Sequence, residues 1–145
     1  MQPDNRRVEE ASEWLRFVTE DLRLADLALD AVPPITGLAL YHAQQAAEKA
    51  LKAYLLFRGR AFPLTHDLTT LSRPLAELDA DLLTIVLPHL GLSDFATLYR
   101  YPSGPKLPTL AQARSWVEAA YGIYAAVEER VKSRSPADDS GEHRS

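Results

Sequence analysis

The sequence predicts an all-α protein, an antiparallel up-and-down bundle of four to five helices. Three observations carry that expectation. Apolar residues recur at three- and four-residue steps in long stretches near the start, the middle and the end of the chain. Proline and glycine concentrate between those stretches, at Pro33-Pro34, at Gly59 and in Pro102 to Pro108. No convincing strand pattern appears. The 145 residues, 46% apolar and 25% charged, suffice for one domain whose core needs no disulfide or metal.

The first helix is expected over Glu9 to Ala31, with Trp14, Leu15, Val18, Leu22, Ala25 and Leu29 inward. Ser12 or Asp4 is available to cap an early turn, and Pro33-Pro34 stops the helix. The second runs from Ile35 or Gly37 to Arg58, with Gly59 as its C′ residue. After the connector Arg60 to Leu64, Thr65 reads as an N-cap with Asp67 in the first turn, starting a short helix that ends at Ser72. Pro74 interrupts that helix or begins the next turn, and Pro74 to Leu90 reads as broken helix punctuated by Pro88. One or two further turns fit Leu92 to Tyr99. Tyr99 to Pro108 is a loop. Thr109 caps a last helix reaching Val131, with Leu110, Ala113, Trp116, Val117, Ala120, Ile123, Tyr124 and Val127 inward. The domain boundaries expected are 9–132, followed by a polar, disordered tail over 133–145.

The second helix is the most informative segment. At 100° per residue Ala39, Ala43, Ala46, Ala47, Ala50, Ala53, Tyr54 and Phe57 gather on one side. Small side chains there let a neighbouring helix backbone come close. Tyr41, Gln44, Gln45, Glu48, Lys49 and Lys52 gather on the other side, with Glu48 and Lys52 at the favourable i,i+4 spacing. This polar face is to be met by solvent, by a partner, or by a polar groove.

Composition excludes several classes. The absence of cysteine removes disulfide scaffolds, cysteine-zinc sites and thiol catalysis, and fits a reducing cytoplasm. The N-terminal segment Met1 to Arg7 has no apolar core, so it does not read as a signal peptide, and no apolar run is long enough to span a membrane. A formal net charge of −4 argues against nonspecific nucleic-acid binding over the whole surface, while leaving room for a local basic groove. The four histidines show no metal-ligand spacing, so no metal and no cofactor is expected.

Three segments carry a family resemblance. They are Trp14 with Asp21-Leu22-Arg23-Leu24-Ala25; His42-Ala43-Gln44-Gln45-Ala46-Ala47-Glu48-Lys49-Ala50-Leu51-Lys52 followed by Thr65-His66-Asp67-Leu68; and Tyr99-Arg100-Tyr101-Pro102. Over Ser12 to Lys132 the chain resembles the HEPN domain family, in particular small stand-alone members associated with minimal nucleotidyltransferases. The resemblance implies a five-helix bundle, a homodimer, a nucleotidyltransferase partner, and contact with nucleotide or RNA. It also implies a choice about activity. Some members are metal-independent ribonucleases using an arginine followed four to six residues later by a histidine. Arg100 stands at the arginine, but Tyr101 to Thr109 contain no histidine, and the next is His143. A non-catalytic binding or regulatory subunit is therefore the main expectation, and a ribonuclease toxin of a toxin–antitoxin pair, with Arg100 catalytic, is the alternative. A plain dimerisation module is a third possibility. Arg60 and His66 match the catalytic spacing by count but lie in the wrong segment.

The candidate nucleotide- or RNA-binding residues are Gln45, Lys49, Lys52, His66, Arg100 and Tyr101. Adjacent glutamines offer both donors and acceptors to a base edge. Lysines can meet phosphate, and His66 near a helix start can join free N–H groups in doing so. Arg100 between Tyr99 and Tyr101 can stack on a base and fork onto phosphate; its alternative role is an ion pair to Glu48 or Asp94. By position, Tyr101 also matches a tyrosine that some partner nucleotidyltransferases modify. Each also has a structural role open to it: a solvated face for the α-helical stripe, a cap-region side chain for His66, and a packed or hydrogen-bonded histidine for His42.

Overall fold

A computed structural model describes residues 5–96 and 108–133. Every regular element among the described residues is helical. The long helices are α1 (Asn5–Asp30), α2 (Thr36–Phe57) and, last in the chain, α6 (Leu110–Ser133). Between α2 and α6 come α3 (Leu68–Ser72), α4 (Leu75–Leu78), α5 (Ala80–Val86) and consecutive 3-10 turns over Leu87–Ala96. These short pieces together make the fourth leg of the bundle.

α1 buries Val8, Ala11, Leu15, Val18, Leu22, Ala25 and Leu29, one stripe at helical spacing. The chain then turns over Pro33-Pro34, where the Ile35 amide donates to the Ala28 carbonyl at 2.9 Å. α2 ends where the sequence places its glycine. Gly59 has φ of +72°, and the Gly59 and Arg60 amides donate to the carbonyls of Leu56 (2.9 Å) and Leu55 (2.8 Å). That bond pair is a Schellman motif, which satisfies carbonyls the helix end would otherwise leave unpaired. Thr109 caps α6 as expected, and reciprocally: its hydroxyl accepts from the Gln112 amide at 3.2 Å while Gln112 Oε1 accepts from the Thr109 amide at 2.9 Å.

The short helix after the connector differs from expectation. α3 begins at Leu68, and its N-cap is Asp67, not Thr65. The Asp67 carboxylate accepts from the Thr69 amide (3.1 Å) and the Thr70 hydroxyl (2.8 Å), and the Thr70 bond leads the interactions that hold its carboxyl below the usual aspartate range. Thr65 serves one step earlier, its hydroxyl accepting from the Asp67 amide at 3.1 Å. An ionised carboxylate is the better acceptor for orphan amides, so the helix starts where it can be used.

α2 is the centre of the molecule. It packs against α1, α6, α3 and the 3-10 turns. Ala39, Ala43, Ala46, Ala47, Ala50 and Ala53 are all fully buried, so the alanine stripe is used inside the fold. The opposite face departs from a solvated stripe. Gln44, Glu48 and Lys52 are buried as well, leaving Tyr41, His42, Gln45 and Lys49 half-buried. With neighbours on almost every side, the helix turns most of its polar residues inward, where each requires a partner.

Asp79, between α4 and α5, ties three elements together. Its carboxylate accepts from the Leu82 amide (2.9 Å), the Tyr54 hydroxyl (2.9 Å) and Arg130 Nε (2.6 Å). Burial pushes this carboxyl up, but the donors from Arg130, Leu82 and Tyr54 outweigh it and hold it below the ordinary value. Arg58 donates to the Tyr54 hydroxyl oxygen and to the Leu78 carbonyl, completing the link from α2 to the fourth leg. The described helices include none long and apolar enough to cross a membrane.

Candidate functional site

Two histidine–carboxylate pairs flank the half-buried strip of α2. The first begins at Asp21, which sits beside the apolar stripe of α1 and so faces α2. One of its oxygens accepts from His42 Nδ1 at 2.8 Å and the other from Lys49 Nζ at 2.7 Å. His42 and Lys49 lie two turns apart on α2, which brings both to the same side of the helix and onto one carboxylate.

The second pair begins at Glu48, on the other side of the strip. Its side chain is 3% exposed, and it accepts a hydrogen bond from His66 Nδ1. His66 itself stands 70% exposed on the connector. An ionised carboxylate only accepts, so the Nδ1 proton is on the histidine and Nε2 is left for other partners. Lys52 Nζ lies 3.9 Å from Glu48 and 5.4 Å from the Phe62 ring centroid, with its side chain 11% exposed. Phe62 in turn meets Trp14 edge to face at 5.7 Å between centroids.

Backbone and amide contacts hold the connector in register with α2. Gln44 Nε2 donates to the His66 carbonyl at 3.3 Å, and Gln45 Nε2 donates to Gln44 Oε1 at 2.8 Å. The Leu68 amide donates to Ser93 Oγ at 2.8 Å, anchoring the start of α3 to the 3-10 turns. The result is a surface strip of Tyr41, Gln45, Lys49 and His66, backed by two buried carboxylates. It offers amide donors and acceptors and an ammonium from one face of α2, and an imidazole nitrogen from the connector beside it. Among the described residues no cluster of three or more His, Asp or Glu is placed to hold a metal ion.

The structure brings Gln45, Lys49 and His66 to this strip. Lys52 is placed differently from expectation. It lies behind the strip beside Glu48 and Phe62, because its turn of α2 is covered by the connector. His42 takes the hydrogen-bonded role open to it, and the Glu48–His66 bond adds an ion-pair partner that the sequence pattern did not name. Arg100 and Tyr101 lie outside the described residues, as do Asp4 and the tail beyond Ser133, so an ion pair of Arg100 with Glu48 or Asp94 is not described although both carboxylates are. Arg60 turns to Glu77 at 3.8 Å while His66 turns to Glu48, so the two residues with catalytic-like spacing serve different partners. Sequence reasoning missed Asp21 and the burial of Glu48. The one signal for Asp21 was an acidic residue between Val18 and Leu22 on the inward side of α1.

These features define the class: a small all-α bundle whose polar chemistry is collected on its central helix. The family model for the HEPN domain matches residues 11–130, and the chain belongs to the HEPN domain family. Among solved structures it is similar to the crystal structure of TT1696 from Thermus thermophilus, at 30% identity and a TM-score of 0.63. That alignment covers 87% of this chain and 98% of the other. Among curated proteins none matches.

Proposed function

We propose that this HEPN domain is a binding subunit that holds nucleotide or RNA against the α2 strip and works with a nucleotidyltransferase. The observation that supports it most is the Glu48–His66 pair: a buried carboxylate fixes the ring of a largely exposed histidine, beside Gln45 and Lys49. A histidine oriented this way presents Nε2 to a phosphate or a base edge without paying ordering entropy on binding. Lys49 supplies the positive charge, held in place by Asp21. Lys52 acts through Glu48, and Arg100 and Tyr101 are assigned to the same ligand from the sequence resemblance alone. The exposed residues Phe17, Leu24 and Leu27, which share the outer side of α1, support the homodimer.

The test is binding of fluorescent single-stranded RNA and of ATP to the wild-type chain and to Lys49→Ala, His66→Ala and Arg100→Ala, with mass spectrometry of proteins co-purified from the native host. Affinity reduced about tenfold or more in each variant, the equivalent of about 1.4 kcal/mol, together with recovery of a nucleotidyltransferase, is the expected result. No binding of either ligand by wild type, or variants that bind as wild type does, overturns the assignment of the strip.

A second reading is favoured by the same pair. An imidazole held through Nδ1 by a carboxylate is a general acid–base arrangement. His66 would then supply the histidine absent after Arg100 in a metal-independent ribonuclease. RNA cleavage in EDTA that disappears in both His66→Ala and Arg100→Ala is its signature. Cleavage unchanged in those variants, or absent in wild type, excludes it.

A further inference from the structure

A second site lies away from the α2 strip, where the first turns of α1 meet the end of α2. Arg6, Arg7, Glu10, Leu56, Gly59, Arg60 and Ala61 line an open cleft of about 350 Å³. Three arginines and one glutamate line it, and a second carboxylate, Glu77, pairs with Arg60 from outside the lining, on a chain whose formal net charge is −4. The arginines come from segments more than fifty residues apart in sequence, so only the fold collects them.

The cleft depends on Gly59. The Schellman turn needs its positive φ, and the missing side chain leaves room for Arg7: a Cβ on Gly59 would stand 2.5 Å from Arg7 Nη1 and 2.7 Å from its Cζ. Arg7 thus lies against the backbone of the turn, at the carboxyl end of α2, where a cation is favoured by the helix dipole. Its placement is accounted for by that end. Arg6 and Arg60 are not accounted for in the same way. Arg6 meets Glu10 at 3.0 Å with 86% of its side chain exposed, and Arg60 meets Glu77 at 3.8 Å with both partners exposed. Exposed pairs of this kind contribute little to stability and are readily exchanged for a better anion.

We propose that this cleft is a binding site for a small oligophosphate, with Arg6 and Arg60 as the two jaws and Arg7 at its floor. The chemistry is specific to that class. Guanidinium groups fork onto phosphate oxygens with two parallel hydrogen bonds, and several of them match a ligand carrying several negative charges. The volume is at the small end of ligand pockets, enough for a di- or triphosphate group and too little for a folded macromolecule. Leu56 and Ala61 give the cleft an apolar wall. Gly59 begins the same connector that carries Phe62 and His66, but none of the strip residues Gln45, Lys49 or His66 lines the cleft. The two sites are therefore separable.

The experiment is isothermal titration of the full chain with inorganic tripolyphosphate, with equal ionic strength of sulfate as the comparison, at near-physiological salt. The variants are Arg6→Ala/Arg60→Ala and, separately, Lys49→Ala/His66→Ala. Saturable binding of tripolyphosphate preferred at least tenfold over sulfate, lost at least tenfold in the arginine pair and kept in the strip pair, is expected. The arginines are exposed, so the double variant should unfold within a degree or two of wild type, and its circular dichroism verifies the fold. No saturable binding by wild type, sulfate bound equally well, or full binding by a folded arginine variant overturns the proposal. Binding lost only in Lys49→Ala/His66→Ala also overturns it, and assigns the oligophosphate to the α2 strip.

Discussion

Removing the Glu48 carboxylate is the most discriminating perturbation of the strip. In Glu48→Ala the Lys52 ammonium keeps its burial, with 11% of the side chain exposed, and keeps the Phe62 ring but loses its only opposite charge among the described contacts. Breaking a buried ion pair from one side costs about 3–5 kcal/mol, because the remaining charge is left uncompensated. Lys52 is near the surface and its pair is long, at 3.9 Å, so the lower end, about 3 kcal/mol, is expected. On a chain of this length that is a fall in Tm of about 6–12 °C. His66 then loses its ring partner too, but it is 70% exposed and water replaces the bond. Glu48→Gln keeps the shape and still accepts from His66, and should cost about 1–2 kcal/mol. Glu48→Leu/Lys52→Met removes both charges and should recover most of the stability lost by Glu48→Ala, since apolar replacement of a buried pair is often neutral or better. The assay is equilibrium urea unfolding followed by circular dichroism. If Glu48→Ala costs less than about 1 kcal/mol, or the double variant is no more stable than the single, then Lys52 is not a buried charge held by Glu48 and the account of the strip fails.

The other predictions concern the rest of the bundle. Asp79→Ala removes the α5 cap, the Arg130 pair and the Tyr54 acceptor together, and should cost about 2–4 kcal/mol, against about 1 for Asp79→Asn, which retains a capping oxygen. Because the folded carboxyl of Asp79 lies below its ordinary value of 3.8, its contribution is full above that pH and is lost as pH falls below it; urea midpoints should drop more steeply on acidification in wild type than in Asp79→Asn. Tyr121, by burial and then by its bond to Asp26, and Tyr124, by burial and then by its bond to Glu128, are each pushed up to about 12. Folding is thus favoured below pH 10 and loses that contribution between 10 and about 12; Tyr54 is also raised, by burial and then by its bond to Asp79, so phenolate absorbance should show at least three late-titrating tyrosines, and Asp26→Asn should bring one of them down. Gly59→Ala forces a Cβ into the left-handed region and should cost about 1–2 kcal/mol. Adding Arg7→Ala should recover only a minor part, because the guanidinium can shift while the turn cannot; recovery of the whole loss in thermal unfolding would place the penalty in the Arg7 contact instead.

The long helices were determined by local chemistry and were readable from it. Apolar spacing alone set the inward faces of α1 and α6, Pro33-Pro34 and Gly59 set the ends of α2, and Thr109 set the start of α6. The alanine stripe of α2 announced a helix in close contact with others, and every alanine in it is buried. The short fourth leg was harder to read, because caps compete within a few residues. Thr65 and Asp67 are both capping residues, and the Asp67 carboxylate on Thr69 and Thr70, together with Ser93 taking the Leu68 amide, goes with starting the helix after Asp67.

The site divides along the same line. Which residue types could bind phosphate or a base was visible in the chain, since donors, acceptors and charge are properties of the side chains themselves. Whether each one faces ligand or core is a property of what packs over it. A helix wheel separates two faces but cannot say how many neighbours surround the helix. With α1, α6, α3 and the connector around it, α2 buries Glu48 and Lys52 yet leaves Lys49 at the edge. Asp21 joins His42 and Lys49 across 21 and 28 residues of sequence, and Arg6 reaches the same cleft as Arg60 from the far end of the chain. Such pairings follow from helix packing, which is decided by the whole core at once, so only the tertiary structure could make them.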